Sequence, residues 1–275
     1  MRTPLNRAAD AESRPSTPSH LYSEDYFLAA CEGYEGFEQE VEAAVVSPRL
    51  VASSNLVKCK PGERVLDIGC GRGEIVLSCA HSGAAVCGVD YSADALRIAR
   101  RGVTEGDSSS GRISLGRADA KRLPFADASF DKLLMFDLVE HLYPWELAQA
   151  LSEAWRVLGV HGQLLIHTAP NRWYYRFGYP LYRLFERLRG RELPADPRSR
   201  FPFHYLHVNE QDVLGLRRSL RRAGFDAKVW LDNVRPPLKD ESSPALKLLL
   251  TVLLDVYPFR WIFRNDLFAV ACKRA

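Results

Sequence analysis

The 275-residue sequence predicts an α/β fold, a parallel sheet covered by helices, and three observations carry that prediction. From Glu63 onward, short apolar runs alternate with helical stretches. One strand runs straight into a glycine-rich turn and a helix, Val65 to Glu74. Three acids, Asp67, Asp90 and Asp119, fall at the ends of three consecutive strands, which places them on the sheet's carboxyl edge, where such folds bind ligands.

The elements follow in order. Residues 21 to 58 read as a helical segment ahead of the core, with Ser23 capping Glu24 and Asp25 and apolar positions recurring through Val41, Val45 and Val46. Strands are predicted at Arg64 to Ile68, Ala84 to Val89, Arg112 to Gly116, Lys132 to Phe136 and Gln163 to Thr168. Helices fall between them at Glu74 to His81, Ala93 to Arg101 and Trp145 to Val157, and Gly106 to Gly111 reads as a loop. The regularity lapses from Ala169 to Val208 and returns with a capped helix, Asn209 to Ala223, and a strand, Ala227 to Leu231. A second irregular stretch, Asp232 to Asn265, precedes a final strand, Leu267 to Cys272. Residues 1 to 20, rich in Arg, Pro, Ser and Ala, read as a disordered tail, and residues 21 to 275 as one domain carrying insertions at 169–208 and 232–265.

Composition excludes several classes. Hydrophobic residues at 47% and charged residues at 26% are globular values, and a net charge of +3 is too small for a chain that coats nucleic acid. The six cysteines form no C-x-x-C pair and no Cys/His cluster at zinc spacing, so no metal is expected and a reducing cytoplasm fits best. The apolar stretch from Ala245 to Tyr257 carries Lys247 and Asp255, and it is shorter than the ~20 residues of a spanning helix.

The glycine turn is the most informative segment. Glycines allow a sharp turn and the close approach of a ligand to the backbone. A dinucleotide site wants G-x-G-x-x-G, whereas here the spacing is Gly69, Gly71, Gly73, with Glu74 where the third glycine would fall. Asp67 and Glu74 would also oppose a pyrophosphate and favour a ligand with ammonium and sulfonium cations. Asp90, 23 residues beyond Asp67, has the spacing of an acid that takes ribose hydroxyls. Asp119 reads either as an acceptor for an adenine amino group or as the start of a plain turn.

These motifs together resemble the class I S-adenosylmethionine-dependent methyltransferases, whose seven-stranded Rossmann-like sheet has helices on both faces. VLDIGCGRG is similar to the family's first motif, GVDYS to its ribose-binding strand end and RADAKRLPF to its adenine-side loop. SFDKLLMFDLVEHL is similar to its fourth strand and following loop, GQLLIHTAPN to its fifth strand and NEQDVLGLRRSLRRAGF to its next helix. The resemblance covers Val57 to Lys273 apart from the insertions. It implies S-adenosylmethionine as cofactor, held by Asp67, Gly69, Cys70, Gly71, Gly73, Asp90, Tyr91, Asp119, Ala120 and Asp137. Cys70 is expected to contribute backbone contacts, not a reactive thiol.

Missing motifs narrow the acceptor. No Asn/Asp-Pro-Pro-aromatic run follows the fourth strand, where the chain reads Phe136 to His141, and no Pro-Cys of the cytosine-C5 enzymes occurs. A small or lipid-linked acceptor, methylated at oxygen, is the expectation, without nucleic acid. His141 is the first candidate base, because imidazole titrates near neutrality, although a structural histidine at a helix start has equal claim. His167 comes next, and Asn171, His204 and His207 are further candidates to face substrate. Two rivals stay open: a cofactor-binding subunit without catalysis, and a nicotinamide-dependent oxidoreductase.

The first insertion holds eight arginines against three acids between Arg172 and Arg200, a local net of +5, and seven aromatic residues from Trp173 to Phe185. Pro180 starts a helix whose Leu181, Leu184, Phe185 and Leu188 share a face flanked by Arg183 and Arg187. In the second insertion Lys247, Thr251 and Asp255 make a narrow polar stripe. The two insertions either pack together as a lid with solvated arginines, or form a basic, aromatic vestibule for an anionic or lipid-like acceptor at an anionic membrane surface.

Overall fold

The computed structural model describes residues 14–29, 47–105, 113–232, 234, 251–252 and 255–274. Val41, Val45, Val46, the 106–111 loop, Arg112, Lys247 and the first thirteen residues lie outside them. Seven strands form one sheet: β1 Arg64–Ile68, β2 Ala85–Asp90, β3 Ile113–Arg117, β4 Phe130–Phe136, β5 Leu158–Thr168, β6 Phe225–Asp232 and β7 Asp266–Lys273. Their order is β3-β2-β1-β4-β5-β7-β6. The first five run parallel, while β7 is antiparallel to both β5 and β6. The described helices are α1 Glu24–Ala29, α2 Pro48–Val57, α3 Glu74–His81, α4 Ala93–Glu105, α5 Pro144–Val157, α6 Tyr179–Leu188, α7 Val213–Arg222 and α8 Arg260–Phe263.

Strand alternation divides the core between two layers. Leu66 of β1, Leu133 and Met135 of β4, and Leu164 and Ile166 of β5 join one cluster with Leu147, Ala150 and Leu151 of α5 and Leu216 and Leu220 of α7. Their neighbours Val65, Leu134, Phe136 and Leu165 join the opposite cluster with Ile75, Val76 and Cys79 of α3 and Val57 of α2. Both faces are therefore covered, and the central strands read as continuous apolar runs. The order reverses between β1 and β4, so the chain diverges at their carboxyl ends and leaves a crevice there.

Several boundaries differ from the sequence reading for local reasons. The helix expected from Asn209 starts at Val213, because the Asp212 side chain accepts from Gly215 N at 2.7 Å and fixes the N-cap one turn later. Strand β5 begins at Leu158, directly after α5, with a register irregularity before Gln163. Residues 14–20, read as part of a disordered tail, are seated on the body: Trp145 Nε1 donates to the Pro15 carbonyl at 2.9 Å, Ser16 Oγ to Glu146 at 2.9 Å, and Tyr91 Oη to the Thr17 carbonyl. Ser23 caps α1 as expected, its Oγ accepting from Tyr26 N.

The insertions meet each other. Trp173 stacks on Trp261 with ring centroids 5.5 Å apart, and Asn171 Nδ2 donates to the carbonyls of Trp261 and Arg264 at 2.9 Å. A π-helical turn, Tyr174–Gly178, carries the chain into α6. The contact does not use the leucines of α6, which face outward: Leu181 and Leu184 are each 55% exposed and Leu188 80%.

Candidate active site

The glycine loop forms because β1 must end under β2 and release the chain into α3 within five residues. Gly69 N and Cys70 N both donate to Val89 O, at 2.7 and 3.0 Å, pinning the turn to the neighbouring strand. Gly69, Gly71 and Gly73 have φ of 77°, 52° and 86°, the left-handed region in which a side chain is strained. A Cβ at Gly69 would lie 3.1 Å from Leu138 Cδ1, so the loop after β4 packs directly on the turn. Gly73 N-caps α3 against Ala99 and lines neither of the two cavities at this edge.

Two adjoining cavities occupy the crevice. The first, about 720 Å³ with its open mouth included, is lined by Gly69, Gly71, Asp90, Tyr91, Asp119 and Ala120, and roofed by Thr17, Tyr22 and Tyr26. The second, about 1770 Å³ on the same basis, is lined by Asp67, Cys70, Arg49, Glu140, Tyr175 and Phe203, among others. Gly69, Gly71, Tyr26, Phe27, Asp137 and His141 belong to both walls. The sequence candidates for the cofactor, Gly73 excepted, thus converge on one place.

Asp90 holds the loop as well as facing the first cavity. Its carboxylate accepts from Gly71 N at 3.1 Å and from Ser92 N at 2.8 Å. Burial raises its pKa, and these bonds pull in the opposite direction. Asp119 closes a turn, its Oδ1 accepting from Lys121 N at 2.9 Å, and it also lines the first cavity. Asp67 is buried, and desolvation, then the charges of Asp90 and Glu74, push its pKa up to about 8. Cys70 is buried and its thiol is pushed well up by the same causes, burial first and Asp67 next, which removes it as a nucleophile.

Glu74 does not act as the free anion the sequence suggested. Arg72, itself buried, places Nε 2.7 Å and Nη2 2.6 Å from Glu74 Oε1 and donates from Nη1 to the Phe27 carbonyl at 3.2 Å. The case against a pyrophosphate therefore rests on Asp67 and on the glycine spacing.

The donor set fits S-adenosylmethionine. Among the described residues Asp67 has no hydrogen-bond or ion-pair partner, which suits its carboxyl to a cation, while Asp90 and Asp119 line a nucleoside-sized space. Gly71 leaves room where a Cβ would stand, its nearest neighbour there being Phe27 at 3.6 Å. When bound there, the cofactor supplies an electrophilic methyl group on sulfur.

His141 lies on the wall shared by the two cavities. Its Nδ1 is 3.1 Å from the Leu206 carbonyl, which can only accept, so Nδ1 carries the proton and Nε2 keeps its lone pair. Tyr26 Oη donates toward that lone pair at 3.4 Å. Burial, then the neighbouring His207, lowers the His141 pKa to about 3. The ring is neutral throughout the working range, and a weak base.

His167 is corrected as a catalytic candidate. It is fully buried, lines neither cavity, and both its nitrogens face carboxylates: Nδ1 to Asp137 at 2.7 Å and Nε2 to Asp266 at 3.3 Å. Burial disfavours its charge, but Asp137 foremost and Asp266 outweigh that and lift the pKa to about 9. An imidazolium with two committed protons cannot serve as a base. Asn171 is likewise structural, holding the insertions together. His204 and His207 do line the second cavity.

Four residues escaped the sequence reading. Arg49 pairs with Asp137 at 3.2 Å and, after the opposing effect of burial, is the main influence holding that carboxyl well below its usual range. Asp266 completes the array around His167. Tyr26 reaches the site from α1, and the aromatic run Tyr22, Tyr26, Phe27 just ahead of the core was the one available signal for it. Glu140 is buried, lines the second cavity, and accepts from Thr168 Oγ1 at 2.8 Å. Burial, then Asp137, pushes its pKa up to about 7. Among the described residues no cluster of His, Cys, Asp and Glu could hold a metal ion.

Comparison with known proteins agrees with this geometry. Residues 65–162 match a family described as a methyltransferase domain. A demethylmenaquinone methyltransferase of Tropheryma whipplei is 31% identical over 188 residues, 65% of this chain and 73% of that one. A ubiquinone/menaquinone biosynthesis C-methyltransferase, UbiE, of Geotalea daltonii is 29% identical over 135 residues, 48% of this chain and 53% of that one. Among solved structures, a SAM-dependent methyltransferase from Methanosarcina mazei superposes with a TM-score of 0.54 at 19% identity, covering 80% of this chain and 96% of that one. The strand order, the glycine turn on β1 and these likenesses lead to one conclusion: the chain belongs to the class I S-adenosylmethionine-dependent methyltransferases.

Proposed function

We propose that the acceptor is a small, uncharged, ring-bearing molecule with a hydroxyl group, and that the methyl group goes to that oxygen or to the ring carbon beside it. The observation that carries this reading is the composition of the second cavity. Tyr26, Phe27, Phe136, Tyr175, Phe201 and Phe203 line it, and its arginines are already paired, Arg198 with both oxygens of Glu210 at 2.7 Å and Arg49 with Asp137. An anionic acceptor would have to displace those partners, whereas an aromatic one needs only the rings. The anion-binding role expected of the insertion's arginines accordingly does not extend to Arg198.

Deprotonating a ring hydroxyl activates both its oxygen and the adjacent carbon, so one base serves either outcome. Glu140, titrating at about 7, is better matched to that task than His141 at about 3, since an efficient base has a pKa near the working pH. His141 keeps a lone pair on Nε2 and can accept the hydroxyl's hydrogen bond, orienting it. The carbon outcome has one specific support, the C-methyltransferase name of the Geotalea relative, and the quinone names of both relatives fit a hydroxylated bicyclic ring.

The test is turnover with a labelled methyl donor and a panel of hydroquinones, naphthols and simple phenols, read by mass spectrometry, with the position of the methyl group read by NMR. Label in a ring-bearing product is expected. Tight cofactor binding without product from any member would reject the reading and favour a cofactor-binding subunit without catalysis.

A further inference from the structure

We infer that the outer face of α6 is a docking surface for an anionic lipid bilayer. Phe177, Leu181, Leu184 and Leu188 lie outward at 47%, 55%, 55% and 80% exposure, at spacings of four, three and four residues, so they form one continuous stripe along the helix. Such a stripe costs free energy in water unless something apolar meets it. The described part of the second insertion packs elsewhere, on the π-helical turn: Gly178 lies against Ile262, where a Cβ would come within 2.9 Å of the Ile262 carbonyl. Val256, Tyr257 and Phe259 in the chain entering α8 are also exposed.

Charge identifies the occupant as lipid with anionic headgroups. Arg176, Arg183 and Arg187 are exposed and border one side of the stripe, at the positions where snorkelling cations flank an interfacial helix. Arg183 Nε is held by the Leu193 carbonyl at 3.1 Å, which keeps that side chain on the surface. Arg189 and Arg191 are instead committed to the buried carboxylate of Glu186, at 3.3 and 3.2 Å, so that they contribute to packing as well as to charge. The only acid of α6 is thereby turned inward, and the outer face is apolar and basic.

The surface also adjoins the second cavity. The π-helical turn that carries Phe177 on its outside contributes Tyr175 to the cavity wall. A lipid-soluble acceptor could thus pass from the bilayer to the crevice along one element. This step rests on the proposed acceptor class, but the docking itself does not, and binding is measured without turnover.

Sedimentation with vesicles is the measurement, comparing phosphatidylcholine alone with phosphatidylcholine containing phosphatidylglycerol. Binding is expected to the anionic vesicles at low salt and to weaken as salt rises from about 0.1 M to about 1 M, where the Debye length falls from about 10 Å to about 3 Å. R183Q/R187Q is expected to lower partitioning roughly twenty- to thirtyfold, because each basic side chain at an anionic surface contributes a factor of about five. L184S/L188S is expected to abolish it, and both variants should bind S-adenosylmethionine as the parent does, which shows that they fold. No vesicle-bound fraction at low salt for protein that binds the cofactor overturns the inference. So does binding that neither variant alters, or a dimer that L184S/L188S dissociates while vesicles are ignored.

Discussion

Cofactor affinity is expected to rise with pH up to about 8, and Asp67 is the cause. Its carboxyl is buried beside Asp90 and Glu74, and it titrates at about 8 in the ligand-free protein. A cationic ligand prefers the ionised form. At about pH 6 roughly one molecule in a hundred has that form, and at about pH 8 roughly one in two, so affinity gains up to about fiftyfold over the interval, or ~2.3 kcal/mol. Above pH 8 the gain levels off. Stability should move the other way: with its folded pKa above the unfolded value of about 3.9, the protonated acid stabilises the fold below that value, and the contribution is lost as pH rises to about 8, by no more than ~6 kcal/mol. Asp67→Asn should therefore flatten the affinity profile, weaken binding at pH 8 by roughly ten- to a hundredfold through loss of a charge-assisted contact, and make the ligand-free protein more resistant to denaturant at neutral pH. Calorimetric titration across the range and urea melts read both arms. An affinity independent of pH in the parent, or an Asn variant that binds as tightly at pH 8, refutes the reasoning.

Asp90→Ala removes the acceptor of Gly71 N and Ser92 N together with the ribose contact expected of it; calorimetry should show affinity weaker by ~2–4 kcal/mol, at ~1–2 for each bond to a charged group. In the rate profile, Glu140 as base gives turnover that rises with pH through about 7, and Glu140→Gln should cost roughly 10²–10⁴-fold; a profile flat from about pH 5 to 8 would return the role to His141. His141→Ala should lower kcat while leaving cofactor affinity near the parent value, measured by the same calorimetry. His167→Gln leaves Asp137 and Asp266 facing each other across a neutral group, which should destabilise the fold by roughly 3–5 kcal/mol. Because the His167 pKa is raised to about 9, its own contribution is complete below about 6.5 and is lost as pH rises through 9, and the variant should lack that slope in thermal melts.

The parallel core was legible because each of its elements is specified locally. Period-two and period-3.6 patterns mark strands and helices, and the glycine turn marks where a strand must give way to a helix within a few residues. Placement of β7 was not legible in the same way. Leu267 to Cys272 reads as a strand wherever it sits, and its insertion between β5 and β6 in antiparallel sense depends on how the chain returns through the second insertion. The α7 boundary failed for a smaller reason: Asn209 and Asp212 offer competing caps, and the choice is made by tertiary contacts such as Asn209 N donating to Glu140 O at 3.0 Å.

The same distinction explains the site. Asp67, Asp90, Asp119 and the glycines are found by their position at strand ends, so backbone pattern alone brings them together. Protonation states are another matter, because they are set by partners distant in sequence. Glu74 reads as a free anion until Arg72 is seen to cover it. His167 looks like a base until register places Asp266, 99 residues away, against its second nitrogen. His141 looks neutral-tuned until burial and His207 press its pKa to about 3, while Glu140 beside it, unremarkable in sequence, is brought to about 7 by burial and Asp137. Sequence position thus brings the strand-end acids and glycines to the crevice, and the fold's long-range pairings decide which further groups face it and which of them can accept a proton.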